Sequence, residues 1–432
     1  MEIKRKGVIK FFLCTTIGIV LFAVNLPGIG RPAFSAFATL CEDALAPIYP
    51  WILMAFLVIS LTFTVMGLFR HPLIRNTPRL KRTFYRKKMQ AVTLSVALAV
   101  VFCYQFLPVP FLNDQSGALI DMCGDMFIFL LLAKMTLPLI SDFGLSEFLE
   151  VYLRPIMKPL LKVPGCAVIH MMTSSFVSVA ASTVMAGEEY QKGVYNRKEA
   201  VAALTCLTIP TMFVTMLICS VVGLENEWFH LYVYILATCL LAGIIVVRLY
   251  PIRKIPETYA VEPPAPEKEE KGGKWKLSLR QASERALRMQ YHPADHFLTI
   301  VLSMISFIPY ILAWGTVLKL ILAYTDIVNI LTYPYGLYLQ LFGVAQGTEV
   351  APVLVLNFLD VVMPTVVLSE VADPSVVLRM LCLTLSEMVY IAPLLLTLAS
   401  KGLSSLKEQM EIWLVRVIVL VPCAALLYPV FY

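Results

Sequence analysis

Apolar blocks about 18–25 residues long recur along this chain, the length at which an α-helix crosses roughly 30 Å of hydrocarbon. The blocks predict helices over 8–27, 45–68, 89–107, 117–140, 199–222, 229–250, 296–323, 350–371, 374–399 and 411–431. Composition agrees, with 59% hydrophobic residues, 15% charged residues and a mean hydropathy of +0.78. Soluble domains run near 45–50% apolar and about a quarter charged, so the excess needs lipid to cover it. The expected fold is an all-α polytopic membrane protein of the cell inner membrane, with about ten transmembrane helices. Its lipid-facing surface makes the bilayer its first partner.

The first block follows Lys4, Arg5, Lys6 and Lys10 and runs from Phe11 to Leu26. It ends in Asn25-Leu26-Pro27-Gly28 without an A-x-A-like cleavage site, so it reads as a retained helix rather than a signal peptide. The ten cysteines lie mostly inside apolar stretches (Cys14, Cys103, Cys206, Cys219, Cys239, Cys382), and no CxxC pair occurs. They read as small buried hydrophobes. The net charge of +6 follows from where the loops lie and implies no nucleic-acid partner.

Arg70, Arg75, Arg79, Lys81, Arg82, Arg86, Lys87 and Lys88 crowd a short loop that has no acidic residue. The positive-inside rule makes that loop, and the basic N-terminus with it, cytoplasmic. Arg253, Lys254, Lys274, Lys276, Arg280, Arg285 and Arg288 make 251–295 cytoplasmic as well. Parity then forbids residues 164–187 from crossing. A re-entrant segment restores the sign, opened by Pro164-Gly165, closed by Gly187, and punctuated by Thr173, Ser174, Ser175, Ser178, Ser182 and Thr183. Hydroxyls can satisfy the backbone groups that a broken helix frees at membrane depth. A second break is expected across 329–347, where Tyr333-Pro334-Tyr335-Gly336, Gly343 and Gln346-Gly347 interrupt the pattern.

Residues 256–272 are a polar, Pro-rich linker expected to be disordered, and 274–291 fit a basic amphipathic helix on the inner leaflet. The expected organisation is therefore N-terminal transmembrane helices over 1–116, a first half over 117–250, a cytoplasmic linker over 251–295 and a second half over 296–432. Glu199 and Glu349 each open a helix after a broken segment. Aligning them is compatible with an inverted repeat, although Leu204 with Leu354 is almost the only further match.

The stretch from Tyr190 to Ala200 (Tyr-Gln-Lys-Gly-Val-Tyr-Asn-Arg-Lys-Glu-Ala) resembles the loop after the first broken segment in the YjiH family. That family belongs to the nucleoside-recognition, or Gate, domain group. Tyr333-Pro334-Tyr335 with Leu339-Gln340-Leu341, Leu356-Asn357-Phe358-Leu359-Asp360 with Met363-Pro364, and Leu383 to Ile391 are similar to its second-half motifs. The order holds over nearly the whole chain. The resemblance implies a multi-spanning protein related to the gate regions of concentrative nucleoside carriers and ferrous-iron transporters. It brings no established substrate.

Ionisable groups at membrane depth are costly and rare, so each is a candidate. Asp121 and Asp125 are one helical turn apart, with Lys134 further along; they carry a coupling proton or cation, or lie at the outer interface. Asn357 and Asp360 precede Pro364, which frees a carbonyl near them, as in discontinuous carrier helices. Ser386 and Glu387 form a similar group. Ser174, Ser175 and Ser178 at the first break bind solute or satisfy backbone. The expected substrate set is thus Ser174, Ser175, Ser178, Asn357, Asp360, Ser386 and Glu387, and the ion-coupling set Asp121, Asp125 and Asp360. His170 near Cys166 reads as structural, and Thr205, Thr208, Thr211 and Thr215 around Pro210 as relief of a proline kink.

No zinc-protease, nucleophile-elbow or P-loop motif occurs, so neither an enzyme nor an ATP-driven pump is expected. The expected function is transport of a small polar solute (nucleoside-like, amino-acid-like or dipeptide-like), coupled to a proton or monovalent cation, with no other cofactor. The alternative is a non-transporting scaffold or assembly factor. A homo-oligomer or a partner Gate-family subunit is compatible with either.

Overall fold

The computed structural model describes residues 5–23, 33–107, 109–136, 138–176, 178–262, 273–289, 293–387, 389–400 and 402–432. All regular elements among the described residues are helical. Five stretches are long and apolar enough to cross a membrane: Ala36–Leu68, Lys88–Phe106, Trp228–Val246, Pro374–Ala399 and Leu406–Phe431. Counting Ile308–Tyr324 and Ile327–Leu341, bent by 83°, as one span makes six. Three of the expected spans are interrupted among the described residues: 199–222 between Cys206 and Met212, 350–371 between Leu359 and Thr365, and 374–399 between Ser386 and Ile391. The end of the first apolar run at 24–27 and linker residues 263–272 lie outside the described residues.

Contacts divide the chain into two units, and neither follows chain order. One comprises Leu26–Thr136 and Tyr291–Leu331. Its helices Tyr49–Leu68, Lys88–Phe106, Pro110–Thr136 and Pro293–Tyr324 pack together. Gly124 allows the Tyr49 ring against the third of these, where any side chain would collide with it. The basic loop folds into short helices Pro72–Asn76 and Pro78–Phe84, pinned by Ile74 and Phe84, which pack with Ile305. Arg70, Arg75, Arg79, Lys81, Arg86, Lys87 and Lys88 are exposed.

The other unit comprises Met1–Asn25, Leu137–Gln290 and Thr332–Tyr432, and most of its helices fall into two successive stretches. First come Ser146–Leu161, the pair Ala167–Phe176 and Val179–Gln191, the pair Arg197–Cys206 and Met212–Val221, then Trp228–Val246. Later come Ile327–Leu341 (in this unit from Thr332), Gly347–Val350 and Val353–Leu359 with Thr365–Leu368, the pair Pro374–Ser386 and Ile391–Ala399, then Leu406–Phe431. Glu199 sits in the capping box of Arg197–Cys206, and Asp373 caps Pro374–Ser386. Glu349 lies in Gly347–Val350.

The first pair folds back on itself. Cys166 before it and Tyr195 after it come within hydrogen-bonding reach, and His170 lies beside the Ser182 backbone. Both ends of 167–191 therefore meet at one place. Gly187 does not close it: the helix runs on to Gln191, and Gly193, at φ +75°, makes the turn. Gly187 instead makes room for the Ser400 hydroxyl.

The break expected across 329–347 falls at its end, at 342–346, where Gly343 has φ +85°. Ile327–Leu341 is continuous with Pro334 inside it, and a further interruption falls at 360–364. The 274–288 helix forms as expected, but its small-residue face (Ser278, Ala282, Ser283, Ala286) is covered by protein. Gly7 and Gly144 let neighbouring backbone approach that face closely, and Arg285 reaches Glu147 at 3.4 Å.

Candidate functional site

The polar side chains singled out from sequence gather where helices of the larger unit are interrupted. An interrupted helix exposes amide groups that find no partner in lipid, and a side-chain oxygen at the start of the next turn can accept from one of them. Four of the interruptions use this device. Ser178 Oγ accepts from the Ala181 amide at 3.4 Å and Thr211 Oγ1 from Val214 at 3.2 Å. Asp360 Oδ1 accepts from Val362 at 2.9 Å and Glu387 Oε1 from Val389 at 3.1 Å. Ser178 and Asp360 both have extended backbone.

In the first half the remaining hydroxyls are engaged locally. Ser174 Oγ bonds both the carbonyl and the amide of Ile209, tying the first hairpin to the interruption at 207–211. Ser175 donates to the Met171 carbonyl at 3.0 Å and lies near the Tyr232 hydroxyl. His170 Nε2 pairs with Thr208 Oγ1 at 3.1 Å, while Cys166 faces Tyr195, so the two do not form a metal pair. Among the described residues no group of three or more His, Cys, Asp or Glu could hold a metal ion. The region around Pro210, expected as a kink, is a full interruption between Cys206 and Met212.

The second half holds the charged centre. Asn357 Nδ2 donates to the Glu387 carbonyl at 3.3 Å. Arg416 Nη2 donates to the Ser386 carbonyl at 2.5 Å, and its Nε lies 3.4 Å from Glu387 Oε1. Asn357, Ser386 and Glu387 thus lie together, and Arg416 joins them. The Arg416 and Glu387 side chains are only 1% and 4% exposed. Beside them is a cavity of ≈ 10 Å³, lined among others by Tyr335, Asn357, Met380, Thr384 and Glu387. That is room for about one water molecule.

From the first half, Cys206 and Cys239 lie within electrostatic range of the Arg416–Glu387 pair. The Cys239 thiol is 3.9 Å from the Ser386 carbonyl. Both halves therefore meet at this centre, through the Arg197–Cys206 and Trp228–Val246 helices rather than through Ser174, Ser175 and Ser178. Asp360 faces Tyr390 and caps its own turn. Asp121 and Asp125 belong to the other unit, where Asp121 is exposed and Asp125 lies within hydrogen-bonding reach of Tyr49.

Arg416 is the residue that the sequence reading passed over. Its signal was present: a lone arginine inside the apolar run from Ile412 to Leu427, which the cost of burying charge makes as telling as any carboxylate. Arg379 is a second case, donating to the Gly343 carbonyl at 2.7 Å with its guanidinium 3.9 Å from the Tyr428 ring centre.

No family model matches the chain, and no solved structure matches it. It is similar to an uncharacterized protein of Alkalihalophilus pseudofirmus, 24% identical over 439 residues, covering 98% of this chain and 95% of that one. The similarity thus runs through both halves and the helices between them.

Proposed function

We propose that this chain is an integral membrane transporter of a small polar solute, coupled to a proton or a monovalent cation. The observation that carries this reading is the buried Arg416–Glu387 pair with Asn357 at a helix interruption. A buried ion pair is a poor way to gain stability, because desolvation can exceed the attraction. Charges inside a membrane protein are kept where a substrate or ion path needs them, and carriers build such sites at discontinuous helices. In this reading the chain has about ten spans, an inverted repeat with re-entrant pairs at 167–191 and 347–368, and a cytoplasmic N-terminus. The resemblance to the YjiH family of Gate-domain proteins agrees with it.

Uptake into proteoliposomes, with and without an imposed proton or sodium gradient, tests the reading. Intact, monodisperse protein that moves no nucleoside, amino acid or dipeptide under any gradient would refute it. The scaffold reading would then stand, favoured by the local engagement of Ser174, Ser175 and Ser178. Topology has its own test: cysteines placed at Lys162 and Gln191 should label from the same, cytoplasmic, side.

A further inference from the structure

We infer that the Glu387–Arg416–Asn357 cluster is the seat of a zwitterionic solute of the α-amino-acid type, its ammonium group taken by Glu387 and Asn357 and its carboxylate by Arg416. The inference rests on the transport reading for the purpose of binding, but not for binding itself.

Each group in the cluster leaves part of its hydrogen-bonding capacity unused. Asn357 spends its amide nitrogen on the Glu387 carbonyl, and its Oδ1 is buried with no hydrogen-bond partner among the described residues. Glu387 spends Oε1 on the Val389 amide, and its Oε2 is likewise buried and unpartnered. Arg416 spends Nη2 on the Ser386 carbonyl and turns Nε to Glu387 Oε1 at 3.4 Å, while Nη1 has no hydrogen-bond partner among the described residues. A buried polar group without a partner is costly, more so when charged. Two acceptors and one guanidinium nitrogen, Nη1, left idle in one cluster form a pattern that a ligand can complete.

Charge then narrows the ligand. The pair is neutral as a whole, so a ligand carrying only one charge leaves an uncompensated charge in an apolar surround. A zwitterion adds none. It presents an ammonium to the two acceptors and a planar carboxylate to the guanidinium, the geometry that arginine recognises best. Tyr335 and Thr384, on the cavity wall beside Glu387 and Asn357, add an aromatic ring and a hydroxyl on the ammonium side. Size sets the last condition. The cavity of ≈ 10 Å³ accepts a group as large as an ammonium and no more, so Glu387 and Arg416 must part to admit the whole ligand. Glu387 follows Ser386, the last residue of its helix, and so is not fixed inside a helical turn.

The test is calorimetry and thermal shift on the detergent-purified full chain. Probes are a panel of L-amino acids (glycine, alanine, leucine, serine), methylamine, acetate, uridine and sodium chloride. At least one amino acid should bind about tenfold or more tighter than methylamine or acetate. Asn357→Ala, which leaves the ion pair intact, should weaken it about tenfold. Arg416→Lys should retain more binding than Arg416→Gln. Binding by uridine or sodium alone, or by none of the probes, overturns the inference. So does an amino acid bound equally well by Asn357→Ala and Arg416→Gln. Nucleoside uptake without amino-acid binding would sink this inference and leave transport standing; amino-acid binding without any flux would do the reverse.

Discussion

Two arginine–glutamate pairs in the larger unit use the same chemistry in opposite ways. Arg197 of the first half holds Glu408 of the second through Nη2, at 2.8 and 2.7 Å from the two carboxylate oxygens. Its Nε donates to the Leu403 carbonyl at 3.0 Å. Glu408 also accepts from the Ser404 hydroxyl and the Ser405 amide, closing a capping box. With side chains 21% and 26% exposed, this pair is saturated with partners and partly wet. Arg416 and Glu387 are buried, 3.4 Å apart, and short of partners on both sides. The first arrangement joins the two halves. The second holds charge in reserve, and that difference, rather than the presence of an ion pair, marks the site.

The largest effect should come from breaking the buried pair on one side. Glu387→Ala leaves Arg416 an uncompensated buried charge and should cost about 3–5 kcal/mol, read as loss of thermal or denaturant resistance in detergent. The double substitution Glu387→Leu/Arg416→Met should be more stable than the single one, since apolar replacements of a buried pair are often neutral or better. A double variant less stable than the single would show that the pair is structural after all.

Arg197→Ala should cost less, about 1.5–3 kcal/mol, the range for hydrogen bonds to charged groups. Its neighbours can be hydrated once it is gone. Ser174→Ala comes next, at about 1–2 kcal/mol, because the Ile209 amide and carbonyl lose their shared partner. If the unfolding transition of Ser174→Ala matches that of the unmodified protein, the tie between the first hairpin and the 207–211 interruption carries no energy.

Asp360→Asn should change stability least, by under about 0.5 kcal/mol, because asparagine keeps an oxygen to accept from the Val362 amide. Its effect should fall on function, as lost or uncoupled uptake by a folded, monodisperse protein. Normal uptake would remove Asp360 from the coupling set. A collapse in stability would make it a structural cap, like Ser178 in the first half.

What could be read along the chain was whatever depends on near neighbours. Helices such as Trp228–Val246 follow from runs of apolar residues, and the hairpin at 167–191 from Pro164-Gly165 and closely spaced hydroxyls. Prolines were less informative. Pro334 lies inside a continuous helix, whereas Pro210 lies in a complete interruption, because whether a freed carbonyl is tolerated depends on what packs beside it. The ends of the hairpin were also misjudged: Gly187 is small because Ser400, more than two hundred residues away, lies against it.

The sequence by itself determined that the chain is helical and too apolar for water, and it named Asn357, Ser386 and Glu387 as candidates, since the cost of burying a polar group belongs to that group alone. Only the tertiary structure decided that Glu387 meets Arg416 across two helices and that Arg197 meets Glu408 across the two halves. It also decided that the serines of the first hairpin are taken up by backbone. Which partner satisfies a buried group is set by packing between distant segments, and no local pattern of residues encodes it.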